Sequence, residues 1–203
     1  MNVFDTIFNN LDICVQVNGL TNELKGIYID KLFNKHNKNI LVVTSNLYEA
    51  NKLYQILSNY NENIFLFPMD DFLTSEALAV SPELKNTRLE TINKIIKKKG
   101  IIITDLLGYL RYLPEVDLYK RKIVNLTKNQ NISHDKLVKS LLQNGYTRDS
   151  IVNKTGDIAI RGYIIDVFPI GYENPIRIEF WGETIESIRE FDVNNQRTIG
   201  DID

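Results

Sequence analysis

Along the first half of the chain, short apolar runs alternate with longer segments of mixed polarity, and this pattern predicts strands that alternate with helices. Short apolar runs have the length of strands, and the longer segments between them have the length of helices. The predicted strands cover 13–17, 39–44, 64–67 and 101–104, and the predicted helices cover 22–34, 47–58 and 82–99. Because such alternation is typical of a parallel sheet with helices on both faces, we predict an α/β domain over residues 1–115.

Two of these strands are apolar without interruption, at 40–43 and 101–103. A strand that is buried on both faces has this pattern, so both are predicted to be central strands of the sheet. The helix at 82–99 is predicted to begin with Ser81 as its N-cap and to end before Gly100, taken as a C′ glycine. Its last turn contains the lysines at 97–99, whose positive charges complement the helix dipole. We therefore interpret these lysines as a helix end and not as a nucleic-acid-binding patch.

The pattern changes after residue 115. A strand at 122–126 and a helix at 133–143, capped by Ser133 and ended by Gly145, are followed by apolar runs at 157–168, 175–181 and 187–192. Because turn residues and no further helices separate these last runs, they predict an antiparallel meander. We therefore predict a smaller α+β domain over residues 116–198, and we expect 199–203 to begin a further segment that is cut short.

The segment 19–26 lies where a nucleotide-binding P-loop would lie, after an apolar strand and before a helix. The working pattern, G-x-x-x-x-G-K-[ST], uses its second glycine to close the backbone around phosphates and its hydroxyl to hold Mg²⁺. Here Leu24 replaces that glycine and Gly26 replaces the hydroxyl, while Gly19 and Lys25 remain. We therefore predict a degenerate loop with no cofactor and no ATP hydrolysis. The alternative, that the two glycines merely shape an ordinary turn, stays open.

One strand of the predicted meander carries candidate binding residues. Period-two alternation sends Arg177, Glu179 and Trp181 to the face opposite the core. An exposed arginine beside a large aromatic has the composition of a binding hot spot. In the run before it, Arg161 is followed by Gly162, whose missing side chain leaves room for the arginine or for a partner's backbone. In the alternative interpretation, Trp181 packs under a loop and Arg177 pairs with Glu179 or with a cross-strand acid.

The composition of the chain limits the kinds of partner and of site that we expect. The chain has 203 residues, of which 43% are hydrophobic and 25% are charged, and its formal net charge is −2, so no overall attraction to nucleic acid is expected. The single cysteine, Cys14, cannot form an internal disulfide. With no apolar run long enough to span a membrane, we expect a cytoplasmic protein without membrane contact. His36 and His134 have no neighbours at metal-ligand spacing, so no metal site and no catalytic residue is predicted.

Several motifs together resemble a known bacterial module. They are Ile-Arg-Gly-Tyr-Ile-Ile-Asp-Val-Phe-Pro at 160–169, Pro-Ile-Arg-Ile-Glu-Phe-Trp-Gly at 175–182, Ile-Glu-Ser-Ile-Arg-Glu-Phe-Asp at 185–192, Leu-Phe-Pro at 66–68, Ser-Pro-Glu at 81–83 and Ile-Ile-Thr-Asp at 102–105. In combination they are similar to the N-terminal UvrB-homology module, domains 1a and 2, of the transcription-repair coupling factor Mfd. The resemblance covers nearly the whole chain. The excision-repair protein UvrB itself is a poorer match, because its intact nucleotide loop and tyrosine-rich hairpin are not present.

The resemblance implies that the second domain docks the repair protein UvrA and recruits excision repair to stalled transcription. The family's contact residues carry over onto Arg161, Arg177 and Trp181, although phenylalanine is more usual at the third position. The ATP-dependent translocase activity and the contacts with RNA polymerase and DNA would belong to other parts of a full-length parent, so this chain is expected to bind without catalysis. Two alternatives remain: a nucleotide-dependent UvrB or helicase-type enzyme, supported by Lys25 alone, and direct DNA binding through the basic residues 120–122.

Overall fold

The computed structural model describes residues 16–69 and 81–202 of the chain. The helices are α1 (Asn22–His36), α2 (Leu47–Ser58), α3 (Pro82–Lys97), α4 (Leu106–Tyr109), α5 (Val116–Lys120) and α6 (His134–Gln143). The strands are β1 (Ile40–Thr44), β2 (Ile64–Phe67), β3 (Ile101–Asp105), β4 (Thr147–Arg148), β5 (Asp157–Arg161), β6 (Ile164–Val167), β7 (Ile176–Trp181), β8 (Thr184–Phe191) and β9 (Thr198–Asp201). Contacts divide the chain into two compact units, between Leu113 and Pro114.

The first unit contains a parallel sheet whose described strands have the order β1-β3-β2. In register, Ile101 of β3 lies between Ile40 and Ile64 of its two neighbours, and it is fully buried. Residues of α1 and α2 pack against β2 and β3 in one hydrophobic core. On the α3 side, the Thr91 hydroxyl donates to the carbonyl of Leu66. The parallel α/β fold class is confirmed, and β3 is a central strand as predicted.

The prediction of a second central strand at 40–43 is wrong for the described sheet. There, β1 pairs only with β3, and its residues Leu41 and Val43 are exposed. The apolar run alone could not distinguish an edge strand from a central one. The predicted strand at 13–17 falls mostly outside the described residues, as does Cys14, and the described Gln16 and Val17 are not in a strand.

Helix α3 begins as predicted, with Ser81 at the N-cap position and Pro82 in its first turn, although the Ser81 side chain makes no capping hydrogen bond. The helix ends at Lys97, two residues before the predicted end. Gly100 is buried and does not act as a C′ glycine. A Cβ at this position would overlap the Phe65 ring and lie 2.6 Å from the carbonyl oxygen of Asn63, so the glycine is needed for close packing.

The second unit contains a six-stranded sheet with the order β4-β5-β6-β7-β8-β9. Strands β5 to β9 form an antiparallel meander, as predicted, and the short β4 pairs with β5 in parallel. Leu137 and Leu141 of α6 pack against one side of the sheet, where Ile165, Ile178 and Ile188 form the core. Alternate residues of the same strands therefore point to the opposite side.

Two predictions for the second unit are wrong. Residues 122–126 form no strand. The run 157–168, predicted as one strand, is a hairpin of β5 and β6 that turns at Gly162 and Tyr163. Gly162 has a φ of 60°, a conformation that glycine adopts readily at the first position of a two-residue hairpin loop. At α6, Ser133 makes no side-chain capping bond, whereas Gly145, with a φ of 92°, follows the helix end as predicted.

Candidate docking surface

The side of the second sheet that faces away from α6 carries charged and aromatic residues, and we call it the polar face. Residues that are directly paired across strands point to the same side of a sheet. The pairs Asp166 with Arg177 and Arg177 with Arg189 therefore belong to one face. The polar face contains Arg161, Asp166, Arg177, Glu179, Trp181, Ser187, Arg189 and Asp201. All three predicted contact residues are among them.

Asp166 lies at the centre of this arrangement. Its carboxylate, 1% exposed, accepts from Arg177 Nε at 2.7 Å and from Arg177 Nη2 at 2.9 Å, a bidentate pair. Arg161 Nη2 donates to the same carboxylate at 3.0 Å. Two arginines from different strands therefore share one buried carboxylate, and charge-assisted hydrogen bonds of this kind are among the strongest in proteins.

Arg177 is held from several directions. Its guanidinium carbon lies 4.6 Å from the centre of the Phe191 ring, which is fully buried. The hydrogen bonds that Arg177 donates to Asp166 raise the pKa of its guanidinium, an effect that burial partly opposes. Only 19% of its side chain is exposed. The alternative interpretation, pairing with a cross-strand acid, therefore describes Arg177 correctly, and the acid is Asp166.

Arg161 and Trp181 are placed differently from Arg177. The Arg161 side chain is 49% exposed and gives one of its nitrogens to Asp166. Trp181 is 79% exposed at the end of β7, directly before the turn at Gly182, so the indole does not pack under a loop. The polar face thus presents the half-exposed guanidinium of Arg161, which is tied to Asp166, and, at the end of β7, one large exposed ring.

A second ion-pair cluster lies further across the polar face. The Glu179 carboxylate accepts from Arg189 Nη2 at 2.7 Å and from the Ser187 hydroxyl at 2.8 Å. Arg189 Nε lies 3.6 Å from a carboxylate oxygen of Asp201 on β9. Both clusters fix side chains across neighbouring strands, so the polar face is built largely of charges that are already paired within the sheet.

Sequence reasoning missed two residues of this region. Tyr163, 69% exposed, lies at the tip of the hairpin of β5 and β6, and its carbonyl accepts from the Phe180 amide at 3.0 Å. It therefore lies at the same end of the sheet as Trp181. The second residue is Asp166, an acid inside an apolar run. The glycine at 162 was the signal that could have revealed both, because a two-residue turn there places Tyr163 at the hairpin tip and pairs Asp166 with Ala159, which puts Asp166 on the same face as Arg161.

The degenerate loop of the first unit has a different geometry. Helix α1 begins at Asn22, and the Thr21 hydroxyl caps it by accepting from the Leu24 amide at 3.4 Å. Leu24 is thus inside the first turn of the helix, where Lys25 is exposed. Gly26 is buried, and a Cβ there would lie 2.7 Å from Cγ2 of Ile56 in α2. The position that a hydroxyl fills in a working P-loop is therefore a helix-packing position here.

Beside α1, a cleft of about 310 Å³ lies between that helix and the end of β1. Lys25 and Lys52 are among its lining residues, together with Glu49 and the apolar Val42 and Leu53. Within the described ranges, no group of three or more histidine, cysteine, aspartate or glutamate side chains could hold a metal ion. In the same part of the chain, every helix is too short or too polar to cross a membrane.

Comparison with known proteins identifies relatives over both units. Residues 124–203 match the family described as the UvrB interaction domain. The transcription-repair-coupling factor of Bacillus subtilis is 34% identical over 184 residues, which are 89% of this chain and 16% of that protein. The Staphylococcus epidermidis factor is 34% identical over 197 residues, 96% of this chain and 17% of the relative. The Staphylococcus aureus factor is 35% identical over 190 residues, 92% of this chain and 16% of the relative.

The chain therefore spans about one sixth of the length of the curated relatives that it matches. The residues matched at this level of identity include the first unit, with its degenerate loop, as well as the sheet that carries the polar face. Over nearly its whole length the chain is therefore a homologue of the N-terminal region of the transcription-repair-coupling factors, and its residues 124–203 match the UvrB interaction domain.

Proposed function

We propose that this chain is a non-catalytic docking module that binds UvrA through the polar face of its second unit. In the longer protein, this contact would recruit excision repair to stalled transcription, with RNA polymerase and DNA bound elsewhere. One observation carries the proposal: the 79% exposed indole of Trp181 lies on the same face as the half-exposed Arg161, within the segment that matches the UvrB interaction domain. A large exposed aromatic beside an arginine is the usual core of a protein-binding hot spot.

The three predicted contact residues have unequal roles in this proposal. Trp181 is the anchor, because its ring has the largest area still to be buried by a partner. Arg161 retains N–H donors that Asp166 does not use, and these can bond a partner's carboxylate or carbonyl oxygen. Arg177 is mostly covered and committed to Asp166, so it contributes to the shape and charge of the surface more than to direct contact.

We further propose that the first unit binds no nucleotide at 19–26. Thr21 already accepts from an amide of the first turn of α1, which a phosphate would otherwise contact. The buried Gly26 leaves no oxygen for Mg²⁺ at the position where the motif supplies one. Any ATP-driven activity of the longer protein would therefore depend on a different site.

Calorimetric titration of the purified chain with UvrA tests the docking proposal. Trp181→Ala and Arg161→Ala are each expected to weaken binding by about 2 kcal/mol, roughly thirtyfold in the dissociation constant, because both remove groups from the centre of the contact. Tyr48→Ala and Arg148→Ala are the matched controls. Tyr48 is an exposed aromatic residue of the first unit, and Arg148 is exposed and paired with the core residue Ile158, on the side of the sheet opposite the polar face. Because neither residue belongs to the proposed surface, these variants should bind as tightly as the unaltered chain.

Unchanged affinity of folded Trp181→Ala and Arg161→Ala would refute the proposed surface. The two alternative functions have their own readouts. A rise in melting temperature on adding ATP and Mg²⁺ would support a nucleotide-dependent enzyme, since a ligand that binds only the folded state stabilises it. DNA binding that falls steeply with salt would support phosphate contacts by the basic residues 120–122.

A further inference from the structure

We propose that Asp166 is a positioning residue of the docking surface: it fixes Arg161 and Arg177 in the geometry that the partner binds. This inference rests on the proposed function and adds a residue that touches no partner itself. Asp166 is 1% exposed, so its carboxylate cannot reach across an interface. Any effect that it has on binding must act through the two arginines.

The contacts show how the positioning works. Asp166 Oδ1 accepts from Arg177 Nε, and Asp166 Oδ2 accepts from the Nη2 atoms of both Arg177 and Arg161, at distances of 2.7 to 3.0 Å. The bidentate pair sets the plane of the Arg177 guanidinium, which also lies over the Phe191 ring. Arg161 comes from the other neighbouring strand and is tied to the same oxygen. A single carboxylate thus sets the spacing between two guanidinium groups.

Fixing Arg161 matters because this side chain is half exposed. A free arginine on a surface samples many rotamers and loses that freedom when a partner binds it. With one Nη2 held by Asp166, much of this freedom is already lost in the unbound chain, and the remaining N–H groups point in a defined direction. The expected consequence is a complex that dissociates slowly.

The negative charge of Asp166 is expected to slow association, whereas its positioning of Arg161 is expected to slow dissociation. Two guanidinium groups and one carboxylate leave the cluster with a net charge of +1. Removing the negative charge would raise the attraction for an acidic partner group, which acts mainly on the association rate. Loss of positioning acts mainly on the dissociation rate, where most effects of interface mutations appear. The two roles of Asp166 are therefore separable by kinetics.

The decisive variant is Asp166→Asn, which keeps the shape of the side chain and replaces one accepting oxygen by an N–H donor. Binding of UvrA is measured as separate association and dissociation rate constants on the folded chain. We expect dissociation to become at least about fivefold faster, with association unchanged or faster. An unchanged or slower dissociation rate would overturn the inference.

A double-mutant cycle tests whether Asp166 acts through Arg161. The dissociation rates of Arg161→Ala, Asp166→Asn and the combined variant are compared. If the carboxylate acts by positioning Arg161, the combined effect is smaller than the product of the two single effects by more than about twofold. Independent effects, whose product describes the double variant, would contradict this mechanism.

Arg161→Lys keeps the inference testable if Asp166→Asn does not fold. Lysine keeps the charge but lacks the planar fork, and the half-exposed position tolerates the change. We expect at least about fivefold faster dissociation, and dissociation like that of the unaltered chain would overturn the inference. Trp181→Ala distinguishes failure of the proposed surface from failure of the role of Asp166. If Trp181→Ala also binds UvrA normally, the proposed surface is wrong. If Trp181→Ala weakens binding and Arg161→Lys does not, only the role of Asp166 is wrong.

Discussion

The degenerate loop and the polar face are both regions where sequence motifs predict contacts with a ligand, and the fold treats them in opposite ways. At the loop, Gly26 packs against Ile56 and Thr21 caps its own helix, so the motif positions are occupied by internal contacts. On the polar face, Arg161 and Trp181 stay accessible, although Arg161 is bonded to the buried Asp166. The comparison shows that the internal contacts of a motif residue decide whether that residue is still accessible to a partner.

The two regions also differ in how they use hydrogen-bonding groups. In the first turn of α1, the Leu24 amide that a phosphate would need has a partner in the Thr21 hydroxyl. On the polar face, internal pairing is incomplete: Arg161 gives only one nitrogen to Asp166. A partner can therefore add bonds to the polar face without breaking any, whereas a phosphate at the loop would have to displace an existing cap.

The largest expected effect comes from breaking the ion pair behind the polar face. Arg177→Ala should lower the free energy of unfolding by about 3 kcal/mol, because it leaves the buried carboxylate of Asp166 without its bidentate partner. Chemical denaturation measures the loss. Trp181→Ala is the control and should change the free energy of unfolding by no more than about 0.5 kcal/mol, since the indole is largely exposed.

A small stability change in Arg177→Ala would mean that the ion pair contributes little and that Arg177 is free to serve a partner directly. That outcome would remove the contrast between a held Arg177 and an available Arg161. The expected outcome has a practical consequence: weaker UvrA binding by Arg177→Ala is interpretable only when the variant's folding has been measured.

The next largest effect is expected at the loop. Gly26→Ser restores the hydroxyl of the P-loop motif, but its Cβ would lie 2.7 Å from Cγ2 of Ile56, a β-branched side chain with little freedom in a helix. We expect a loss of about 1–3 kcal/mol in the free energy of unfolding from overpacking, without any gain in ATP binding. Thermal and chemical unfolding, each with and without ATP and Mg²⁺, provide the measurement.

Gly200→Ala is the matched control for this glycine substitution. A Cβ at Gly200 has no neighbour within 4 Å, and its φ is not positive, so the variant should be as stable as the unaltered chain. If Gly26→Ser were equally stable and also bound ATP, position 26 would be an open ligand position and the contrast between the two regions would disappear.

The smallest effect concerns pH and a tyrosine of the second unit. Burial raises the pKa of Tyr146 above its ordinary value of 10.0. The folded chain therefore keeps a proton that the unfolded chain loses, so stability falls as the pH rises above about 10. Tyr146→Phe removes this titration, and its stability should fall less steeply between pH 9 and 11 in denaturation experiments. Equal slopes for both chains would show that the phenol is effectively exposed.

The sequence predicted the two-part architecture well where residue periodicity carries the information. The continuous apolar run at 101–103 identified the central strand β3, and the turn signals after residue 168 identified the later strands of the meander. Residues 40–43 show the limit of this reasoning, because the same apolar pattern occurs in β1, a strand paired on one side within the described sheet. Strand order depends on pairing between distant segments, which no local window contains.

The candidate site shows the same limit. The alternation of β7 correctly placed Arg177, Glu179 and Trp181 on one face. The partner of Arg177 could not be identified, because the register between β6 and β7 determines that Asp166 lies opposite the arginine. The turn at Gly162, which brings Arg161 to the same carboxylate, was also missed, since the run 157–168 was predicted as one strand. The roles of Gly100 and Gly26 were likewise predicted from local conformation and from motif position. The surrounding atoms show instead that close packing requires a glycine at both positions.

The exposure of Trp181 has a consequence for how the chain can be studied. It is the only tryptophan among 203 residues, so intrinsic indole fluorescence comes from this single point on the polar face. In the free chain, the emission should be that of a water-exposed ring and should be readily quenched by small solutes. A partner without tryptophan at its contact surface, on covering the ring, would shift the emission to shorter wavelength. The chain thus carries its own optical reporter of docking, and no label is needed.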